Sequence, residues 1–229
     1  MLIQSDLRKS WPRIAVGFIA LLVIVESAGL KFLLADYIYQ LEGLHWALRD
    51  HFITKTLLHD GVRWINIVAV TFTLLLCLYH LSPLGNRAQL RRHFLLFTSV
   101  VLSFGLVNYF KAILGMDCPW DLQMYGGTKP YISFWSASNP HYALGRCFPA
   151  GHSSIGFAWM ALFFFWRNNH PRLANFALIG SLVLGFALGF VQQLRGAHFF
   201  IDDITTAFVC WSVSAFIYLL GTEHETIQG

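Results

Sequence analysis

The chain of 229 residues is of single-domain length, 56% of its residues are hydrophobic and only 12% are charged, about half the ~25% charge content usual for soluble domains. That balance excludes an ordinary water-soluble globule. The formal net charge of +4 comes from short basic clusters between apolar runs, so it calls for no nucleic-acid partner.

A hydrocarbon core about 30 Å thick takes ~20 helical residues to cross. Six apolar runs of that order follow one another: 14–34, 65–84, 94–115, 153–166, 174–194 and 199–220. Residues 1–13 carry charge without a small-residue cleavage site behind a short apolar core, so the first run reads as a retained helix. The fourth run is short and extends through Arg167 or starts near Gly151. The expected fold is an all-α polytopic membrane protein, one domain over residues 1–229, with six transmembrane helices.

Lys and Arg in short loops are retained on the cytoplasmic side. Arg8, Lys9 and Arg13 precede the first run, Arg87, Arg91 and Arg92 fill the second connection, and Arg167 and Arg172 the fourth. Both termini are therefore expected inside. The first loop, the third loop and the 192–198 turn fall outside. In the first loop, Leu41, Leu44, Trp46, Leu48, Phe52, Leu57 and Leu58 alternate with Glu42, Arg49, Asp50, Lys55 and Asp60, a pattern that suits interfacial amphipathic helices as well as an ordinary packed loop. The third loop, with Trp120, Asp121, Tyr125, Lys129, Tyr131, Trp135 and His141, is long enough to carry an interfacial helix and a specificity lid, and its aromatics also suit a membrane-interface belt.

Ionisable groups in or beside apolar spans are costly and by default mark functional sites. Lys111 ends the third run, His152 opens the fourth, Arg195 and His198 join the fifth to the sixth, and Asp202 lies one turn inside the sixth. All five share the outer end. His198 and Asp202 are four residues apart, which on a helix puts imidazole and carboxylate on one face. A carboxylate on one ring nitrogen leaves the other free to attack or to take a proton, although such a pair taken alone equally suits a structural hydrogen bond. The run Phe148-Pro149-Ala150-Gly151-His152-Ser153-Ser154 sets a sharp turn before an apolar helix that Ser153 or Ser154 is placed to cap. Free backbone N–H groups there, with Gly151 allowing close approach, form an anion site. A lone Lys111 would simply snorkel to the interface.

Taken together and in order, these pieces resemble the type 2 phosphatidic acid phosphatase superfamily, whose pattern is Lys, six residues, Arg-Pro; then Pro-Ser-Gly-His; then Ser-Arg, five residues, His, three residues, Asp. Here the motifs read Lys111, six residues, Cys118-Pro119; Pro149-Ala150-Gly151-His152; and Val191-Gln192, five residues, His198, three residues, Asp202. Cys118 and Gln192 stand where the family has arginines, and Ala150 and Val191 where it has serines. Arg195, three residues after Gln192, and Arg146, just ahead of Pro149, are candidates to restore the lost charge.

The resemblance implies a metal-independent phosphatase without cofactor: His198, oriented by Asp202, attacks phosphorus to give a phosphohistidine, and His152 protonates the leaving oxygen. Lys111, Arg195, Arg146 and the backbone around Gly151 and Ser153 hold the phosphate oxygens. It implies a membrane lipid phosphate or diphosphate as substrate, with undecaprenyl diphosphate, a lipid A phosphate, phosphatidic acid and phosphatidylglycerol phosphate all compatible. The expected setting is a bacterial inner (cytoplasmic) membrane with a periplasmic active site. A lipid phosphotransferase with the same site, or a catalytically silent protein that binds phosphate headgroups, are the alternatives. Of four cysteines, Cys77 and Cys210 fall in apolar runs, while Cys118 and Cys147 bracket the outer loop, where an oxidising compartment permits a disulfide between them.

Overall fold

The computed structural model describes residues 2–133 and 145–227, with the side chains of 7–133 and 145–221. Trp135 and His141, expected in the lid, lie outside the described residues. The regular elements found are helices. Helix α1 (Leu2–Ser27) is followed by Gly29 at φ 66°, and α2 (Lys31–Leu41) starts as a separate helix. The expected single span over 14–34 is thus broken, because a left-handed glycine ends a helix even where the apolar run continues.

A π-helical stretch, Ile53–Gly61, runs directly into α3 (Val62–Leu81). That helix stops at 81 and not at 84, since Ser82 is extended (φ −69°, ψ 166°) ahead of Pro83. Helix α4 (Arg87–Leu114) starts earlier than the apolar run because the Asn86 side chain accepts from the N–H groups of Ala88 and Gln89 at 2.9 and 3.3 Å. It ends at Gly115, φ 60°. The third loop then carries 3-10 turns over Pro119–Asp121 and Gln123–Tyr125, and among its described residues no interfacial helix appears. Helix α5 (Ser154–Phe157), a 3-10 turn and α6 (Ala161–Trp166) form one apolar rod. Helices α7 (Pro171–Leu194) and α8 (Phe200–Ile227) close the bundle, α7 with proline at its first position, where no N–H is needed.

Among the described residues, five stretches are long and apolar enough to cross a membrane: Leu7–Ser27, Ile53–Leu81, Arg87–Asp121, Pro171–Leu194 and Phe200–Gly221. Their outward faces expose Val16, Ile65, Val68 and Phe176, each more than 65% accessible, a belt that lipid covers in a multi-pass membrane protein. The rod Ser154–Trp166 is shorter and innermost. Phe157 and Ala158 are fully buried in a core with Val100, Val107 and Cys210. It meets α7 at a glycine crossing, where a Cβ on Gly156 would fall 2.1 Å from the Gly185 nitrogen, the close approach that small residues permit.

Candidate active site

The turn between α7 and α8 carries the histidine–carboxylate pair. Gly196, at φ 72°, passes under the Trp46 ring so closely that a Cβ would lie 2.3 Å from it, and its carbonyl accepts from the Trp120 N–H at 2.9 Å. Asp202, the third residue of α8, reaches back: Oδ2 accepts from the Phe199 N–H at 3.0 Å and faces His198 Nδ1 at 3.2 Å. His198 therefore precedes the helix instead of riding on it. The contact expected from i,i+4 spacing is made by a helix-start carboxylate folding back over its cap, as in half of a capping box. With Nδ1–H donating to Asp202, Nε2 keeps its lone pair. Burial holds the His198 imidazole well below the usual histidine range, and the Lys111 ammonium adds to this against the opposing Cys147 carbonyl. The lowered pKa favours the neutral ring.

The 149–154 turn packs against the same helix start. Ala150 donates its N–H to the Asp202 carbonyl at 3.3 Å, and its own carbonyl accepts from Thr206 Oγ1 at 2.8 Å. The expected serine cap is absent. Ser153 and Ser154 hydroxyls donate backwards to the carbonyls of Ala150 and Gly151, at 3.2 and 2.5 Å. Among the described residues no acceptor meets the N–H groups of Gly151, His152, Ser153 or Ser154. A Cβ on Gly151 would stand 3.1 Å from Lys111 Nζ, so the ammonium from the last turn of α4 lies directly on this turn. Lys111 does not simply snorkel.

His152 Nε2 bonds the Leu58 carbonyl at 2.9 Å, and its ring stacks on His59, centroids 4.6 Å apart and 16° from parallel. Burial pushes the His152 pKa down to about 4, against the Leu58 carbonyl and with help from His59, His198 and Arg195. Arg195, 6% exposed, donates Nε–H to the Arg49 carbonyl at 2.8 Å and NH1 to Gln192 Oε1 at 2.9 Å. The one-turn proximity to Gln192 read from the sequence is thus a direct contact. Arg146 is exposed, yet close enough to Lys111 for their charges to interact. Cys118 and Cys147 are joined as a disulfide, Cα atoms 5.2 Å apart.

Two groups lay outside the sequence reading, and a third, Asp203, reads from sequence only as a carboxylate pointing away from the Asp202 face and mattering less. His59 is brought to His152 by the π-helical stretch, an irregularity that periodicity does not report. Lys31, 6% exposed, pairs with Glu26 and meets the Tyr131 hydroxyl, which also bonds Glu26. The Lys31 ammonium sits 5.7 Å from the Phe199 ring centroid, beside Asp202. Two opposite charges at 26 and 31, both inside the first apolar run, were the available signal. Asp203 is fully buried, bonded by Gln193 Nε2 at 2.5 Å. Gly189 makes room for it, since a Cβ there would meet the carboxylate carbon at 2.4 Å.

An imidazole held by a carboxylate, a second histidine and the cations Lys111 and Arg195 gather at one end of a bundle of membrane-length helices. A family model for the PAP2 superfamily matches residues 92–225, more than half of the chain, and the protein belongs to that superfamily. Its members are phosphatases, so membership supports a phosphoester hydrolase acting on lipid-like substrates. Neither curated proteins nor solved structures give a match. The matched region contains every motif position from Lys111 to Asp202 and excludes α1, α2 and the π-helical stretch.

Proposed function

We propose that this protein removes phosphate from a lipid phosphate or diphosphate through a covalent intermediate on His198. The observation that carries the reading is the buried His198–Asp202 pair at 3.2 Å, with Lys111 beside it. Nε2 of His198 attacks phosphorus, the bond from phosphorus to the lipid oxygen breaks, and His152 gives that oxygen its proton. Water then attacks the phosphohistidine, His152 takes the proton, and phosphate leaves. His152 is neutral in the empty site, and an arriving phosphate supplies the negative charge that favours its protonated form. Lys111, Arg195 and the free N–H groups from Gly151 to Ser154 stabilise the charge on the non-bridging oxygens. Ser153 contributes through its backbone. Arg146, exposed beside Lys111, meets the outer side of the phosphate or the headgroup.

The arginine bias supports six crossings, cytoplasmic termini and an outward site in a bacterial inner membrane. The rod Ser154–Trp166, at 13 residues, spans only ~20 Å. It still serves as the sixth crossing, because neighbouring helices shield it from lipid and the irregular 147–153 segment at its outer end is buried or half-buried in protein. The third loop, tied to α2 by Tyr125 donating to Asp36 at 2.6 Å, is the specificity lid in this reading. Phosphate release from short-chain phosphatidic acid, undecaprenyl diphosphate and phosphatidylglycerol phosphate by purified protein tests the activity. Activity in wild type that persists in His198→Ala would sink the mechanism.

A further inference from the structure

On sequence alone Gln192 marks a vacated arginine position. We propose instead that Gln192 is a working half of the phosphate clamp, its oxygen holding Arg195 in place and its amide NH2 donating to a phosphate oxygen. The inference rests on the phosphoryl-transfer reading above. Gln192 is 2% exposed in the last turn of α7, and its Oε1 accepts from Arg195 NH1 at 2.9 Å. That contact fixes the amide's orientation, because the flipped rotamer would set an NH2 group against a guanidinium N–H, donor to donor. Nε2 then points where no acceptor meets it among the described residues.

A buried polar group without a partner calls for an explanation such as a missing ligand. Arg195 stands beside it: of its five N–H bonds, two are taken, by the Arg49 carbonyl and by Gln192, and the Asp50 and Asp60 carboxylates act on its charge from nearby. An unmet donor and a guanidinium thus adjoin in one place, on the turn that carries His198. The Arg195 charge suits an anion, and the neutral Gln192 amide adds a donor beside it. A second guanidinium at 192 would crowd Arg195 one turn away with a like charge, whereas a neutral amide supplies both the acceptor that Arg195 needs and a donor for the ligand. The positive charge of the motif has moved one turn along, and Gln192 is what makes the move workable.

The test uses full-length protein in mixed micelles with short-chain phosphatidic acid, comparing wild type, Arg195→Ala, Gln192→Ala and Gln192→Glu. Gln192→Glu keeps an oxygen for Arg195 and loses the NH2. The expected result is a fall in kcat/KM of tenfold or more, on the order of one lost hydrogen-bond donor to a charged group, in both Gln192 variants. Weaker inhibition by inorganic phosphate and sub-additivity in Gln192→Ala/Arg195→Ala should accompany it. Gln192 variants within twofold of wild type while Arg195→Ala is impaired overturn the proposal and leave the phosphatase reading standing. Should Gln192→Ala fail to fold, Gln192→Glu and Gln192→Asn decide on the same readouts. If wild type releases no phosphate, the reading beneath fails. Calorimetric titration of inorganic phosphate then still decides the clamp: weaker binding to Gln192→Glu supports it and equal binding overturns it.

Discussion

Breaking the Cys118–Cys147 bridge is a perturbation whose size follows from the chain itself. The cysteines are separated by 29 positions, and the chain-entropy relation for a loop of that length gives about 3.6 kcal/mol of stabilisation relative to the open chain. The bridge also ties the start of the third loop to Arg146 and to the Cys147 carbonyl that faces His198. Cys118→Ser/Cys147→Ser should therefore lose stability by roughly that amount, and activity should fall further than global stability alone explains. Thermal unfolding in detergent with and without reductant, alongside phosphate release, measures both. Reductant should bring wild type to the level of the double variant and leave the double variant unchanged. Alkylation of non-reduced protein that labels both thiols, or a double variant as stable as wild type, would refute the reasoning.

The folded His152 pKa of about 4 lies below its ordinary 6.5, so the unfolded chain binds more protons between those values and stability is lost as pH falls through that window, by about 2 kcal/mol at pH 5. His152→Gln should flatten this acid sensitivity, and an unchanged pH dependence of unfolding would contradict it. Gly189→Ala forces a methyl group into the Asp203 carboxylate at 2.4 Å and should cost about 1–3 kcal/mol by overpacking, visible as a lower unfolding temperature; wild-type stability would show the contact relaxes freely. His59→Ala removes one electrostatic influence that lowers the His152 pKa, so the His152-dependent limb of the kcat/KM profile should move to higher pH, and an unmoved limb would rule out that coupling. Reporter fusions after Arg92 and between 126 and 139 should report opposite membrane sides; a shared side would remove the common outer site.

The sequence made the bundle legible where apolar runs coincide with helices, as in α7 and α8, because burial in lipid and burial in protein both select apolar residues. It failed where a local conformation overrides composition. Gly29 breaks the first run, Pro83 shortens the second, and Asn86 starts the third early through its side chain. The site was legible because its ionisable residues stand out against an apolar background and their order matches a family pattern. What was not legible depends on long-range contacts. The stacking of His59 on His152 spans 93 positions and an irregular helix. The Glu26–Lys31–Tyr131 cluster, in which Lys31 is buried, joins α1 and α2 to the third loop, and no periodicity encodes it. The His198–Asp202 contact was anticipated for a partly wrong reason, since a reach-back across a helix start gives the same pairing as two residues on one helical face.

The central claim is that phosphate passes through His198, and trapping the intermediate tests it most directly. Wild-type protein mixed with radiolabelled phosphatidic acid and quenched within its first turnovers should carry a protein-bound phosphate that is stable in base and labile in acid. His198→Ala should carry none and release no phosphate. A His198→Ala protein that turns over at the wild-type rate, or that carries the same labelled bond, would contradict the account.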